Sequence, residues 1–261
     1  MPVNVVREVR TDDGFVARVT IERAAKLNAL DRTTMAEIID AMTALRDDPA
    51  LRLAIVTGAG GRAFIGGADI DELAALDADS ARAFITAVHV CCDAFRHLPV
   101  PAIARIDGYA LGAGLELAAA CDFRVASDRS VFGMPEVRIG LPSVVEAALL
   151  PALIGPARTR RLLLTGENIT AAEALAWGLV DEVVPADRLD QATEELAAAI
   201  LAAGPQAVRL QKSLILDWED MSTTAAVDRG IDGFVEAFAT DEPQRMTGAA
   251  RAAMQARRKV R

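Results

Sequence analysis

A strand that passes through glycines straight into an alanine-rich helix leaves a chain few folds to choose from, and residues 102–122 have that composition. Ala102-Ile-Ala-Arg-Ile106 is strand-like, Gly112-Ala113-Gly114 turns the chain, and residues 115–120 are apolar except for Glu116, so this segment reads as a buried helix. The first N–H groups of a helix lack internal partners and sit at its positive end, where a developing anion is stabilised. Glu116 lies three residues after Ala113, on the same face of the first turn. A buried carboxylate costs several kcal/mol unless paired, hydrogen-bonded or neutralised. Two readings stand: it satisfies nearby backbone donors, or it does chemistry.

The flanking sequence supplies the architecture. Residues 3–9 and 15–21 alternate apolar and polar side chains around Thr11-Asp-Asp-Gly14, the pattern of a β-hairpin. Asp31 caps a helix to about residue 46 with Met35, Ile38, Ile39, Met42 and Leu45 on one stripe. Residues 53–57 form a buried strand, followed by a second glycine-rich turn over residues 58–69 and a helix over about 80–96. Short strands are expected at 123–126 and 131–132, with Pro135-Glu136 opening a loop. From Ser143 the chain reads as mostly helical, interrupted at 179–184, with Thr170 and Glu173 forming a capping box. Amphipathic helices follow over 185–203, 205–219, 223–240 and about 242–258. Strands alternating with helices imply an α/β fold with a largely parallel, buried sheet whose binding turns lie at the carboxyl ends of its strands. One domain of ββα-like units is expected over residues 1–261, with a core to about 200 and a helical region beyond.

Composition narrows the function. With 52% hydrophobic residues a sizeable core is available, and a net charge of −9 argues against nucleic acid as a partner. Residues 1–10 contain no apolar run of signal-peptide length and no stretch approaches the length of a membrane span, so a cytoplasmic protein is expected, without a membrane partner. Cys91, Cys92 and Cys121 lack metal-site spacing and read as buried thiols; His89 and His97 read as core or surface histidines, so no metal is expected. Gly58-Ala-Gly-Gly-Arg-Ala63 formally satisfies a dinucleotide-binding fingerprint, but Gly66-Gly67 interrupts where a helix should open. A non-catalytic scaffold has no reason to keep costly pocket carboxylates.

Six motifs in order carry a resemblance over almost the whole chain: Lys26-Leu-Asn-Ala-Leu30, Ala63-Phe-Ile-Gly-Gly-Ala-Asp-Ile-Asp-Glu72, Gly108-Tyr-Ala-Leu-Gly-Ala-Gly-Leu-Glu116 through Cys121-Asp122, Phe132-Gly-Met-Pro-Glu136, Leu163-Leu-Thr-Gly-Glu167 and Glu173-Ala-Leu-Ala-Trp-Gly-Leu-Val180. In these the chain resembles the enoyl-CoA hydratase/isomerase family, the crotonase superfamily. The resemblance implies a spiral of ββα units with a helical carboxyl-terminal trimerisation region, and a homotrimer or homohexamer. It implies hydration of a trans-2-enoyl-CoA thioester to a 3-hydroxyacyl-CoA, with an enoyl-CoA isomerase or hydroxyacyl-CoA dehydratase as the alternative. No cofactor is implied, CoA being part of the substrate. Matching positions make the N–H groups of Ala68 and Ala113 an oxyanion hole, and Glu116 and Glu136 a pair holding one water; the resemblance favours Glu116 as the base and Glu136 as the acid, and the sequence itself does not decide that order. The CoA moiety is expected along Arg23, Ala24, Lys26 and Leu27 and along Gly66, Ala68, Asp69 and Ile70, with Gly112 and Ser143 close to the reacting groups. Asp69 is also expected to cap the following helix; Asn28 and Trp177 read as structural.

The chain departs from the family at Ile139-Gly-Leu-Pro-Ser-Val-Val-Glu-Ala147, one residue shorter than the usual glycine-rich loop. Counting back from Pro151 sets Ser143 where the first loop glycine stands, so that its N–H is available to a water. Val144 and Val145 put stiff, branched side chains where the family has small ones, and Glu146 adds a third carboxyl. Either the loop repacks with Glu146 turned to solvent or to Arg158, or the site is narrowed or made more polar, favouring a short or functionalised acyl group.

Overall fold

The computed structural model describes residues 1–11 and 14–259. They divide into two compact units, Met1–Ala197 and Ala198–Arg261.

The first unit opens with the hairpin, β1 (Val3–Thr11) and β2 (Gly14–Ile21), antiparallel with Val3 opposite Ile21; the turn residues Asp12 and Asp13 lie outside the described residues. Helix α1 (Arg32–Arg46) starts at Asp31, whose carboxylate accepts the Thr34 N–H at 2.8 Å and so satisfies one of the helix's unpaired donors. Its predicted stripe is buried at Met35, Ile38, Met42 and Leu45, with Ile39 partly buried. The chain then repeats one unit three times. Strands β3 (Leu51–Gly58) and β4 (Ala63–Ile65) precede α2 (Ile70–Ala74) and α3 (Ala78–Arg96). Strands β5 (Ala102–Ile106) and β6 (Tyr109–Leu111) precede α4 (Ala113–Ala120). Strands β7 (Phe123–Ser127) and β8 (Val131–Gly133) precede two 3-10 turns, Pro135–Ile139 and Val145–Leu149, and α5 (Leu150–Thr165). The unit continues through β9 (Asn168–Thr170), α6 (Ala171–Trp177), β10 (Glu182–Val184) and α7 (Leu189–Leu201), the last of which runs past the boundary between the units.

Each repeat sends its first strand to one sheet and its second to another. The large sheet has the order β1-β2-β3-β5-β7-β10 and the small one β4-β6-β8-β9. Beyond the hairpin the large sheet is parallel, and β3, the run read as a fully buried strand, is buried at seven of its eight positions. The expectation of one sheet therefore needs correction: the glycine-rich turn over 58–69 contains β4, and β6 stands between the strand at 102–106 and its helix. These strands are three residues long, too short for an alternation to show. The Thr170–Glu173 capping box is present, with both reciprocal bonds. Asn28 is buried and donates to the carbonyls of Ala59 and Ala63, while Trp177 packs against the core beneath the guanidinium groups of Arg158 and Arg161.

The second unit holds α8 (Pro205–Glu219), α9 (Thr223–Ala237) and α10 (Glu242–Lys259). Its anchor is Glu242, buried, whose carboxylate accepts the N–H groups of Gln206 and Ala207 and so caps α8 from a distance. Among the described residues no helix is long and apolar enough to cross a membrane, and no group of three His, Cys, Asp or Glu could hold a metal. The three cysteines are free and buried.

Candidate active site

The three parallel neighbours β4, β6 and β8 end side by side, and each delivers part of one site just past its carboxyl end. After β4 come Gly66, Gly67 and Ala68; after β6, Gly112, Ala113 and Glu116; after β8, Pro135 and Glu136. All line one cavity of about 300 Å³, walled also by Ile70, Phe84, Val88 and Leu141 and edged by Ser143 and Val144. The cavity lies past the carboxyl ends of parallel strands, where open α/β sheets bind ligands, but those strands belong to the small sheet.

Gly112 shows why the turn needs glycine. Its φ is +50°, and a Cβ there would stand 2.2 Å from Oε1 of Glu136, so both the backbone conformation and the approach of the carboxylate exclude a side chain. Helix α4 begins at the next residue and is buried at every position, including Glu116. Gly114 lets it lie against β4, since a Cβ would be 2.1 Å from the Ile65 carbonyl oxygen. Ala113 is the first residue of this helix, and Ala68, three residues past the end of β4, is bridged in parallel to Leu30. Among the described residues neither the Ala68 nor the Ala113 N–H donates to a protein acceptor.

The two glutamates differ in surroundings. Glu116 is 5% exposed, and its Oε1 accepts the Ala147 N–H at 3.2 Å. Burial, then the negative charge of Glu136, raise its pKa to about 8; the Ala147 bond opposes this and Glu146 adds to it. Glu136 is half-buried, and its Oε2 accepts the Ser143 hydroxyl at 2.7 Å. Ser143 thus meets the site through its side-chain hydroxyl.

The two stretches expected to hold CoA lie together. Gly66 N–H donates to the Leu27 carbonyl and Leu30 N–H to that of Gly67, while Ala24 and Lys26 form a 3-10 turn closed by Leu27 at φ +53°. Arg23 is held by Asp31 at 2.8 Å and Asp69 at 3.1 Å, and Asp69 caps α2 through the Asp71 N–H. Lys26 is exposed and paired with Asp71 at 2.7 Å. Of the predicted binding residues, Gly66, Ala68, Ile70, Gly112 and Ser143 line the cavity; Arg23, Ala24, Lys26, Leu27 and Asp69 do not. Phe84, Ile85 and Val88 were missed as lining residues, because an apolar face of α3 is indistinguishable in sequence from a core stripe.

The shortened loop corrects one expectation. Glu146 turns neither to solvent nor to Arg158: it is buried, with Oε1 2.6 Å from His89 Nδ1. Arg158 donates instead to the Trp177 carbonyl. His89, read as a core or surface histidine, is half-exposed and engaged. Val144 reaches the cavity, whereas Val145 packs against the core with φ +40°.

Comparison with known proteins agrees with this geometry. The family model for enoyl-CoA hydratase/isomerase matches residues 11–256. A crotonyl-CoA hydratase of Syntrophomonas wolfei subsp. wolfei is 39% identical over 234 residues, covering 89% of this chain and 90% of the relative. A short-chain-enoyl-CoA hydratase of Clostridium acetobutylicum is 35% identical over 240 residues, 92% of this chain and 91% of the relative. The crystal structure of an enoyl-CoA hydratase from Bacillus anthracis superposes with a TM-score of 0.91 at 29% identity, covering 97% of each chain. With a family match running nearly end to end, and three adjacent strand ends bringing two carboxyls and two unengaged amides to one cavity, the chain belongs to the enoyl-CoA hydratase/isomerase family.

Proposed function

We propose that this protein is an enzyme that adds water reversibly across the double bond of a trans-2-enoyl-CoA thioester to give the 3-hydroxyacyl-CoA, with no cofactor beyond the CoA of its substrate. The observation that carries the reading is the pair Glu116 and Glu136 lining one apolar cavity with the Ala68 and Ala113 N–H groups. Hydration needs a base to take a proton from water as it attacks the β-carbon, an acid to protonate the α-carbon, and donors for the negative charge that gathers on the thioester oxygen. Ala68 and Ala113 supply the donors. The carboxyl pair supplies acid and base provided it carries one proton, as two close carboxyls in a dry pocket do.

Burial, with the negative charge of Glu136, favours keeping that proton on Glu116 at neutral pH. Glu136 is therefore the group that takes the water's proton and Glu116 the one that protonates the α-carbon, the reverse of what the resemblance implied. The substrates named for the two relatives are short, and the cavity wall of Phe84, Val88 and Val144 suits a short acyl group.

The test follows loss of the conjugated enoyl absorbance of crotonyl-CoA. Glu116→Gln and Glu136→Gln are each expected to lower kcat by at least about a hundredfold with thioester affinity nearly unchanged, as for groups acting in proton transfer. Retained activity in both would end the reading. The order of roles is decided by exchange of the α-protons of butyryl-CoA with deuterated water, which Glu116→Gln should abolish and Glu136→Gln preserve.

A further inference from the structure

One buried carboxyl remains unused by this chemistry. Glu146 is 6% exposed, lies in the 3-10 turn Val145–Leu149 and is absent from the cavity wall. Its Oε1 is 2.6 Å from His89 Nδ1, and its buried Oε2 has no partner among the described residues. A carboxyl is costly to bury, so the fold gives up stability to keep it there. What it borders explains the location. The residue before it, Val145, is a β-branched side chain at φ +40°, a conformation that persists only where its surroundings over-determine it. The residue after it, Ala147, shares its N–H between the Val144 carbonyl at 2.9 Å and Oε1 of Glu116 at 3.2 Å. Two fastenings thus follow Val145 directly, one to α3 and one to the candidate acid.

We propose that His89 and Glu146 form a clamp between α3 and the turn Val145–Leu149 that holds the Ala147 N–H on Glu116, and that both act as positioning residues for the proton transfer. The clamp rests on the reading of Glu116 as a reacting group. It joins residues 57 apart in sequence, and the two elements they belong to, α3 and the turn Val145–Leu149, pack on each other and both on α4 beside the site. Its charge is felt at the site as well as its geometry. His89 and Asp93 of α3 act on Glu146, and burial raises its pKa against the opposing effect of His89. Glu146 in turn acts on Glu116 of α4 and on the buried thiols of Cys91 and Cys92. On α5, Arg158 is engaged by the Trp177 carbonyl and Arg161 by Glu167, and Arg160 is exposed.

The experiment compares His89→Ala and Glu146→Ala with His89→Gln and Glu146→Gln in the full-length protein. The alanine variants should lose about tenfold or more in kcat for crotonyl-CoA with KM changed less than about twofold, and the glutamine variants, which keep a hydrogen bond across the clamp, should recover most of the loss. Glu146→Gln should also move the alkaline limb of kcat/KM to lower pH, because a negative charge beside Glu116 is gone; simple loosening would not do this. Amide exchange at Ala147 needs no substrate, and it should accelerate about tenfold in His89→Ala and stay near wild type in His89→Gln. If Glu146→Ala does not fold, the half-exposed His89 carries the comparison alone. Wild-type kcat and wild-type Ala147 exchange in a folded His89→Ala protein would overturn the clamp, as would a loss of kcat matched by weaker thioester binding with no recovery in His89→Gln. Should the wild-type protein fail to hydrate crotonyl-CoA, it is the hydratase reading that falls, and exchange at Ala147 still decides the clamp.

Discussion

Glu116 works against the fold that holds it. Its ordinary pKa, 4.5, applies to the unfolded chain, and about 8 applies to the native site. Between those two values the native protein binds a proton that the unfolded chain has released, so the stability present below pH 4.5 is progressively lost as pH rises through 8. The loss is on the order of a few kcal/mol, since each tenfold difference in proton affinity is worth about 1.4 kcal/mol and the carboxyls titrate as a coupled set. Glu116→Gln removes the group and should stabilise the protein by roughly 2–4 kcal/mol at pH 8 and by much less at pH 5, read by urea denaturation at fixed protein concentration. A variant less stable than wild type at pH 8 would show that the carboxyl supports the fold instead of straining it. At this scale, legibility follows the range of the interaction. Asp31 with Thr34 and Thr170 with Glu173 are three residues apart and were readable from spacing alone. Glu116 stood out because a carboxyl in an apolar run is an anomaly anywhere. His89 with Glu146 was not readable, because nothing in either neighbourhood points across 57 residues to the other.

Among the elements, the longest were legible and the decisive ones were not. The strands that set Ala68, Ala113 and Glu136 side by side are Ala63–Ile65, Tyr109–Leu111 and Val131–Gly133, and the first two sit within what composition marks as glycine turns. Their pairing is set by the spiral of the large sheet, which spaces successive repeats and so leaves them adjacent. The loop after β8 adds what distinguishes this chain. Val144 is partly exposed at the cavity edge, while Val145 faces the core, so only the first can limit the acyl group. Each methylene seated in an apolar pocket is worth about 0.8 kcal/mol, so an unobstructed site gains steeply with chain length and an obstructed one does not. Measured across trans-2-enoyl-CoA substrates of about four to sixteen carbons, kcat/KM should peak at four to six carbons in the wild type and at longer chains in Val144→Gly. A wild-type maximum at ten or more would remove Val144 from any role in specificity.

At the scale of the molecule, the helical unit Ala198–Arg261 presents more apolar surface than it uses. Within it, Leu214 of α8 sits against Gly233 of α9, and Arg229 is held by Asp217 and Glu236. Beyond these contacts Val227, Ile231, Phe234, Val235 and Phe238 are all at least 49% exposed. Their spacing places them along one side of α9 and its carboxyl-terminal continuation, and the rings of Phe234 and Phe238 meet at 5.4 Å between centroids. Burying side chains of this kind stabilises by roughly 1.5–3 kcal/mol each, so a contiguous stripe left in water marks an interface. The stripe itself was legible, because a 3.6-residue period survives whatever covers it; the number of copies was not, since that depends on the angle at which a second stripe meets the first. We infer that the cover is another copy of this chain, in the closed symmetry that most homo-oligomers adopt. Light scattering at micromolar concentration should therefore give a multiple of the 27.6 kDa chain, and the trimer or hexamer implied by resemblance specifies which. Ile231→Asp/Phe234→Asp should release monomers whose circular dichroism still reports the helices, because neither side chain is needed inside the unit. A wild-type protein that scatters as a monomer would refute self-association. A double variant that stays assembled would move the interface away from α9.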